Sequence, residues 1–220
     1  MFAPDEPVGT AFREALREQA RAAGVSLNLN QLGHLEHYFR LLRQWNRTIN
    51  LTGLPLSDFP DSTLNRLFIE PLQAAEVVAD APLLWFDLGS GGGTPAIPLK
   101  IVRPQLRLTM VESKSRKSAF LTEAVRSLAL TDTGVLTIRI EELTRSVTTG
   151  KADLVTIRAV RIQEDLLQAV RVLLRPGGRL LLFGSESAQL PGLDAREFRV
   201  TEQLTLIGGD STLQVLSKVS

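Results

Sequence analysis

The chain has 220 residues, and its 25 lysines and arginines nearly balance 24 aspartates and glutamates, which leaves a formal net charge of +1. The absence of cysteine excludes disulfides, thiolate metal sites and cysteine nucleophiles. Two histidines are too few for a histidine-based zinc site, so we expect no metal. With 44% hydrophobic and 22% charged residues, the composition is that of a globular domain and not of a generally basic nucleic-acid-binding protein.

The start of the chain and its apolar runs indicate where the protein resides. Residues 1–9 lack a cationic stretch followed by an apolar run, and the longest apolar runs, such as 180–183, are far too short to span a bilayer. We therefore expect a cytoplasmic protein that does not associate with membranes.

The first third of the chain has a helical pattern. Phe12, Leu16 and Ala20 recur at a spacing of four, and a second apolar stripe with helical spacing runs over 32–45. Residues 46–53 are typical of a turn. A further helix is predicted over 61–79, with Asp61 or Ser62 as its N-cap and with a kink or split at Pro71. These elements predict an N-terminal helical extension over 1–80.

The middle of the chain alternates short apolar runs with amphipathic segments. The runs predict strands over 83–88, 106–111, 135–140, 154–157 and 180–183, with helices over 95–101, 115–128 and 163–174. Such alternation indicates a parallel sheet with right-handed crossovers. An Arg-Pro-Gly-Gly stretch at 175–178 predicts a stop before the fifth strand.

A glycine-rich loop follows the first predicted strand and precedes a predicted helix. Glycines allow a tight turn and a close approach of the backbone to a ligand, and a helix N-terminus supplies free N–H groups. Thr94 is expected to cap this helix and Pro95 to occupy its first turn. The residues expected to bind a cofactor here are Asp87, Gly89, Ser90, Gly91, Gly93 and Thr94.

The same loop discriminates between ligands. A dinucleotide fingerprint would require a third glycine where Thr94 stands, and no Gly-Lys-Ser/Thr follows to make a P-loop. The negative charge of Asp87 would repel a pyrophosphate, but it suits a cationic ligand such as S-adenosylmethionine. Glu112, after the next predicted strand, can accept hydrogen bonds from the ribose diol of either kind of cofactor.

The end of the chain favours S-adenosylmethionine over a dinucleotide as the ligand. Two strand-like runs over 198–207 and 212–218 flank Gly208-Gly209-Asp210, which is a hairpin signal. A terminal hairpin that adds an antiparallel strand is typical of the class I S-adenosylmethionine-dependent methyltransferase fold. We therefore predict an α/β protein with a seven-stranded, mostly parallel sheet and helices on both faces. This methyltransferase domain over 81–220 would pack with the helical extension as one globular unit, and an NAD(P)-binding oxidoreductase remains the alternative.

Several segments together resemble the bacterial GidB/RsmG family, whose members methylate N7 of a guanine in small-subunit ribosomal RNA. The similarity covers nearly the whole chain in the right order, and its first and third segments are the most family-specific. The segments are W-N-x-x-x-N-L-T at 45–52, D-L-G-S-G-G-G-T-P at 87–95, P-L-K-I-V-R-P at 98–104, E-S-x-x-x-K-x-x-F-L at 112–121, R-I-E-E at 139–142 and R-A at 158–159.

The resemblance implies roles for individual residues. Gly89 and Thr94 would line the methionine end of S-adenosylmethionine, Glu112 would hold its ribose, and Ile140 and Glu141 would flank its adenine. Arg158 would lie at the junction of cofactor and substrate and position both. Transfer to N7 needs no general base, which agrees with the lack of a Ser/His/Asp or Cys/His arrangement. We expect the following residues to contact the RNA: Arg116, Lys117, Arg66 and Asn50.

Charge along the chain supports an RNA partner, either ribosomal RNA or the small ribosomal subunit. Residues 100–126 contain seven basic side chains against two acidic ones, although the whole chain is almost neutral. Three positions depart from the family pattern, namely Leu67, Gly184 and Ser211. A non-catalytic or retargeted relative that still binds cofactor and ribosomal RNA therefore remains a further alternative, and we expect a monomer.

Overall fold

The computed structural model describes residues 6–146, 150–161, 163–184, 193–209 and 211–219. Its seven strands are β1 (Leu84–Leu88), β2 (Arg107–Val111), β3 (Thr133–Leu136), β4 (Ala152–Arg158), β5 (Leu174–Gly184), β6 (Phe198–Thr205) and β7 (Thr212–Lys218). They form one sheet in the order β3-β2-β1-β4-β5-β7-β6. The first five strands are parallel, whereas β7 is antiparallel to both β5 and β6. The predicted sheet is thus confirmed.

Helices precede the sheet and alternate with its strands. Among the residues that the structure describes, no helix is both long enough and apolar enough to cross a membrane. The α-helices are α1 (Glu6–Ala22), α2 (Leu29–Asn46), α3 (Asp61–Leu64), α4 (Glu70–Gln73), α5 (Ala96–Val102), α6 (Ser115–Ser127), α7 (Ile140–Ser146) and α8 (Glu164–Leu173).

The helix predicted over 61–79 consists of four consecutive segments. A π-helical turn (Asn65–Ile69) joins α3 to α4, and a 3-10 turn (Ala74–Val77) follows α4. The wide π turn ends at Ile69, two residues before Pro71, which is the second residue of α4. The predicted side-chain cap is wrong, because the N-cap is Pro60, whose carbonyl oxygen accepts hydrogen bonds from the N–H groups of Thr63 and Leu64.

The third strand ends earlier than its apolar pattern predicts. β3 pairs with β2 from Leu108↔Thr133 to Val111↔Leu136, and the pairing stops where β2 stops. Ile140, predicted to end this strand, is instead the first residue of α7, a helix that the sequence analysis did not predict. Strand length here depends on the partner strand and not on local hydrophobicity.

The Arg-Pro-Gly-Gly stretch does not stop β5, because the strand begins at Leu174 and continues past it. Residues 175–178 bulge between the pairs Ala152↔Leu174 and Leu154↔Arg179. Asp153 stabilises the bulge by accepting a hydrogen bond of 2.7 Å from Arg175 Nε. At the other end of the sheet, β6 stops at Thr205, two residues before the predicted end, and Asp210 of the turn lies outside the described residues.

Two hydrophobic clusters cover the two faces of the sheet. The first joins Leu154 and Leu181 to the helical extension, in which the rings of Phe12 and Phe39 stack at 4.3 Å. The second includes α8 and contains Val155 and Leu180, the neighbours that point to the opposite face. Helices therefore lie on both faces, and the carboxyl ends of β1, β2 and β4 remain open at one edge of the sheet. In sheets of this kind ligands bind at that edge.

Candidate active site

Two adjoining clefts open at the carboxyl ends of β1, β2 and β4. The first, of about 500 Å³, is bounded on one side by residues of the helical extension, and the second, of about 470 Å³, is bounded by α7. Each is large enough for a small ligand. The two clefts share four lining residues, namely Gly89, Glu112, Lys114 and Val160. An elongated ligand could therefore extend from one cleft into the other.

The glycine loop between β1 and α5 has a backbone that only glycine adopts easily. Gly89 has a φ of +76° and Gly93 a φ of +90°, both in the left-handed region. A Cβ atom at position 89 would lie 2.5 Å from Val160 Cγ2, and one at position 93 would lie 2.5 Å from Ile97 Cδ1. These glycines are required because side chains from other elements pack directly against the loop.

Thr94 does not cap α5. The N-cap is Pro95 without a side-chain hydrogen bond, and Thr94 Oγ1 donates instead to the carbonyl oxygen of Leu67, 3.3 Å away. The same hydroxyl lies 3.1 Å from Tyr38 Oη, which donates to the carbonyl oxygen of Gly92. Thr94 thus joins the glycine loop to α2 and to the π turn, and it also lines the first cleft.

Asp87, at the end of β1, lies buried beneath the loop and lines neither cleft. Its Oδ1 accepts the hydroxyl of Thr156, which in turn accepts a hydrogen bond of 2.9 Å from Trp85 Nε1. Its Oδ2 has no hydrogen-bond partner within the part of the chain that the structure describes. Burial raises the pKa of Asp87 to about 6, although hydrogen bonds to the carboxylate oppose the shift.

Glu112, just beyond β2, presents its carboxylate to both clefts. Its Oε2 accepts the N–H of Gly91 at 2.9 Å and its Oε1 accepts the N–H of Lys114 at 2.8 Å. Each oxygen keeps a further lone pair, so the carboxylate is held in place and can still accept two hydroxyl hydrogens. This geometry suits a ribose diol.

The second cleft contains the residues predicted to flank an adenine. Ile140 and Glu141 line it together with Ile138 and Val160. The predicted strand was wrong here, but the start of α7 brings the same two residues to the mouth of the sheet. The second cleft therefore has partly apolar lining residues and the carboxylate of Glu112.

Arg158, at the end of β4, lies on the wall of the first cleft although it is only 8% exposed. Its Nη2 pairs with Glu70 Oε2, and its guanidinium carbon lies 5.3 Å from the centre of the Phe183 ring. Its Nη1 has no hydrogen-bond partner among the described residues. Burial lowers the pKa of Arg158 to about 10, and Glu70 opposes that shift, so the side chain remains charged at neutral pH.

The predicted RNA-contacting residues divide into two groups. Lys117 and Arg66 line the first cleft, whereas Arg116 and Asn50 are exposed and do not line it. Two departures from the family pattern also lie here: Leu67 lines the first cleft, and Ser211 accepts a hydrogen bond from Arg66 Nη1. Gly184, the last residue of β5, pairs with Thr212 of β7.

Part of the basic stretch over 100–126 is structural. Lys100 is buried, and its Nζ donates to the carbonyl oxygens of Pro104 and Leu106. Arg103 donates to carbonyl oxygens in the 3-10 turn region, and Arg126 pairs with Glu123 at 2.7 Å. Fewer cations are therefore available for a polyanion than the sequence suggests. Lys114 and Lys117 line the first cleft, whereas Arg107 is exposed at the start of β2, at the opposite edge of the sheet.

Several lining residues lie on loops and were not predicted from the sequence. Thr52, Lys114, Val160 and Arg161 line the first cleft. The sequence signal that could have identified Thr52 as a lining residue is Asn46, in the W-N-x-x-x-N-L-T segment. Asn46 Oδ1 accepts the N–H groups of the residues at 51 and 52 at 2.8 and 3.0 Å, and this holds the turn against the glycine loop.

A family model and individual known proteins are similar to this chain over most of its length. The family model described as rRNA small subunit methyltransferase G, GidB, matches residues 31–203. A protein of that description from Roseiflexus sp. is 38% identical over 76% of this chain and 71% of its own length. Another from Leptothrix cholodnii is 33% identical over 90% of this chain and 91% of its own length.

Solved structures support the fold. TrmN from Thermus thermophilus matches with a TM-score of 0.55 and 21% identity, over 71% of this chain and 53% of that one. A SAM dependent methyltransferase from Aquifex aeolicus matches with a TM-score of 0.53 and 13% identity, over 70% of this chain and 92% of that one. The predicted class I methyltransferase fold is confirmed.

Proposed function

Because the chain belongs to the GidB family of small-subunit rRNA methyltransferases, we propose that it uses S-adenosylmethionine to methylate N7 of a guanine in small-subunit ribosomal RNA. The observation that carries the proposal is the glycine loop facing Glu112, whose carboxylate is held by the N–H of Gly91. This cradle supports a ribose-containing ligand lying across both clefts.

The donors and acceptors around the clefts fit this cofactor. Glu112 would accept the ribose hydroxyls, and Ile140 and Glu141 would flank the adenine. The loop backbone at Gly89 and Ser90 would line the methionine portion, as would Thr94. Buried Asp87 beneath the loop, with one oxygen unpartnered within the described chain, would offset the positive charge of the ligand. When bound, S-adenosylmethionine supplies an electrophilic methyl group.

The first cleft suits a purine base presented beside that methyl group. Leu42, Leu51 and Leu67 supply apolar walls, while Arg158 and Thr52 supply polar groups. Guanine N7 carries a lone pair and no proton, so the site needs no general base. The residues of the cleft would act by holding the base in line for attack, which is a proximity and orientation effect.

The rim of the clefts supports binding of the RNA backbone. Lys114, Arg116 and Lys117 stand at the start of α6, whose first turn contains no acidic residue. Cations at a helix N-terminus oppose the helix dipole, so this arrangement costs stability unless an anion binds there. Phosphate groups would supply that anion, and Arg161 lies on the rim of the same cleft.

Methyl-transfer assays separate the proposal from its alternatives. Calorimetric titration with S-adenosylhomocysteine measures cofactor binding, and labelled methyl transfer is then measured with isolated small subunits, naked small-subunit rRNA and an unrelated RNA. We expect binding, transfer to a small-subunit substrate and recovery of 7-methylguanosine by mass spectrometry. Binding without transfer would favour the non-catalytic relative. Absence of binding together with enhanced NADH fluorescence would favour the oxidoreductase.

A paired substitution tests the RNA surface. Arg116→Ala with Lys117→Ala should weaken RNA binding and lower the slope of log affinity against log salt by about 2, while the affinity for S-adenosylhomocysteine stays nearly constant. Arg17→Ala with Arg21→Ala, on the exposed face of α1, removes the same charge elsewhere and should leave the slope unchanged. Equal effects of the two pairs would refute a specific role for the start of α6.

A further inference from the structure

One buried carboxylate is shared by two arginines at the first cleft. The Glu70 side chain is 5% exposed, and its Oε2 pairs with Nη2 of Arg158, whose side chain is 6% exposed. Its Oε1 lies 3.7 Å from Nη1 of Arg66, a half-exposed residue one helical turn earlier. Both arginines line the first cleft, whereas Glu70 itself does not.

This arrangement orients the Arg158 guanidinium. Glu70 holds the Nη2 edge of the planar group, and the Phe183 ring lies against it with 5.3 Å between the guanidinium carbon and the ring centre. A planar, delocalised guanidinium that is held in this way has a fixed direction for its remaining donors. The remaining buried donor is Nη1, which has no hydrogen-bond partner in the chain as described.

An unpaired buried donor destabilises the protein, and this one belongs to a side chain that lines the first cleft, so an acceptor supplied by a ligand there would stabilise it. The second arginine extends the network away from the cleft. Arg66 Nη1 also donates to Ser211 Oγ, between β6 and β7, and Ser211 is buried. Glu70 thus connects the cleft wall to the C-terminal hairpin.

We propose that Glu70 is a positioning residue, which holds Arg158 so that its free Nη1 donates to an oxygen acceptor of a ligand in the first cleft. The inference rests on the proposed function. The acceptor is an oxygen of either the cofactor or the substrate base, and separate measurements distinguish the two sources. Glu70 touches neither ligand and acts through Arg158.

A double-mutant cycle tests whether Glu70 acts through Arg158. Glu70→Gln, Arg158→Lys and the double variant are compared for S-adenosylhomocysteine affinity and for kcat/KM of methyl transfer at saturating cofactor. Lysine keeps the charge of Arg158 but loses the planar fork. We expect each single change to lower one of the two quantities by about 10-fold or more, as for loss of a charge-assisted hydrogen bond. The double variant should be no worse than Arg158→Lys alone.

Whether the cofactor affinity or kcat/KM falls shows which ligand carries the oxygen acceptor. A loss of S-adenosylhomocysteine affinity assigns it to the cofactor, and a loss of kcat/KM with unchanged affinity assigns it to the base. Additive losses in both quantities, or no loss in either, would overturn the proposal. If the unaltered protein transfers no methyl group to rRNA, the proposed function fails, while the cycle on S-adenosylhomocysteine affinity can still be measured.

Two further variants separate positioning from folding. Glu36 is also a buried carboxylate shared by two arginines, with Arg13 Nε and Arg40 Nη2 both at 2.6 Å, but it lies on α2 away from the cleft. Glu36→Gln should lower the melting temperature and leave affinity and kcat/KM unchanged. Glu70→Asp keeps the charge and should recover part of the loss caused by Glu70→Gln. Equal losses from the Asp and Gln variants would also overturn the proposal.

Discussion

Asp87 combines a proposed binding role with a cost in stability, and the substitution Asp87→Asn separates the two. The side chain is 1% exposed, accepts the Thr156 hydroxyl through Oδ1, and leaves Oδ2 unpartnered in the described part of the chain. Asparagine has nearly the same shape and can still accept the Thr156 hydrogen bond. The substitution therefore removes the buried charge and keeps this hydrogen bond, but it places an amide N–H₂ group where Oδ2 stood.

The sign and size of the effect follow from the pKa. Burial raises the pKa of Asp87 from 3.8 to about 6. Between these two pH values the folded protein holds more protons than the unfolded chain, so the free energy of unfolding falls as the pH rises through this window. Above about pH 6 the cost is fully present and amounts to about 3 kcal/mol.

Asp87→Asn should recover part of this amount. The new amide N–H₂ stands where Oδ2 had no partner, and an unsatisfied buried donor costs about 1–3 kcal/mol. We therefore expect a net gain of about 0–2 kcal/mol at pH 7.5, or a rise of up to roughly 8 °C in melting temperature for a chain of this size. Affinity for S-adenosylhomocysteine should fall at least about tenfold, since a charge is lost from beneath the loop.

Chemical denaturation between pH 4 and 8 measures the first effect and calorimetry the second. The free energy of unfolding of the unaltered protein should decline from pH 4 to 6 relative to the Asn variant. Asp80→Asn, at an exposed site, serves as the control and should follow the unaltered protein. Parallel pH profiles for the Asp87 variant and the unaltered protein would refute the reasoning, as would a variant less stable at pH 7.5.

Two other predictions concern the packing of the glycine loop. Tyr38→Phe removes the hydrogen bond to Gly92 and should cost about 1–3 kcal/mol of stability and also weaken S-adenosylhomocysteine binding. Thr63→Val, which removes a buried hydroxyl bonded to Pro55 away from the loop, should lower only the melting temperature. Gly89→Ala should abolish detectable binding because its Cβ meets Val160 Cγ2 at 2.5 Å, and adding Val160→Ala should restore part of it. Binding that is insensitive to the residue at 160 would show that backbone strain alone is responsible.

The sheet could be predicted because its signals are local and repeated. A strand that is buried on both faces of the sheet is encoded by a short apolar run. Turn residues separate these runs from the amphipathic helices. The predicted strand ends were wrong where a neighbouring element determines how far the strand extends. β3 ends at Leu136 because β2 ends opposite it, and β5 passes through Pro176 because the bulge opposite Asp153 takes up the extra residues.

The candidate site could be predicted only in part. The loop at Gly89 and the carboxylate of Glu112 follow predicted strands directly, so spacing was enough to bring them together. Tyr38 was read as part of an apolar stripe, yet its hydroxyl reaches a loop 54 positions away. Lys100 was counted among the seven basic side chains that support an RNA partner, but its ammonium group donates to two carbonyl oxygens and is buried.

The sequence by itself determined the order of the strands along the chain, the conformational freedom of the glycine loop and the presence of an acid at the end of β2. These properties depend on residue type and short spacing, which hold whatever the rest of the chain does. Only the tertiary structure decided which charges are paired and which buried donors have no partner among the residues it describes. Glu70 and Arg158 are 88 positions apart, and their contact depends on how the helical extension packs against the sheet. Burial then makes the charge of Asp87 costly, and it leaves one N–H donor of Arg158 without a partner in the described part of the chain.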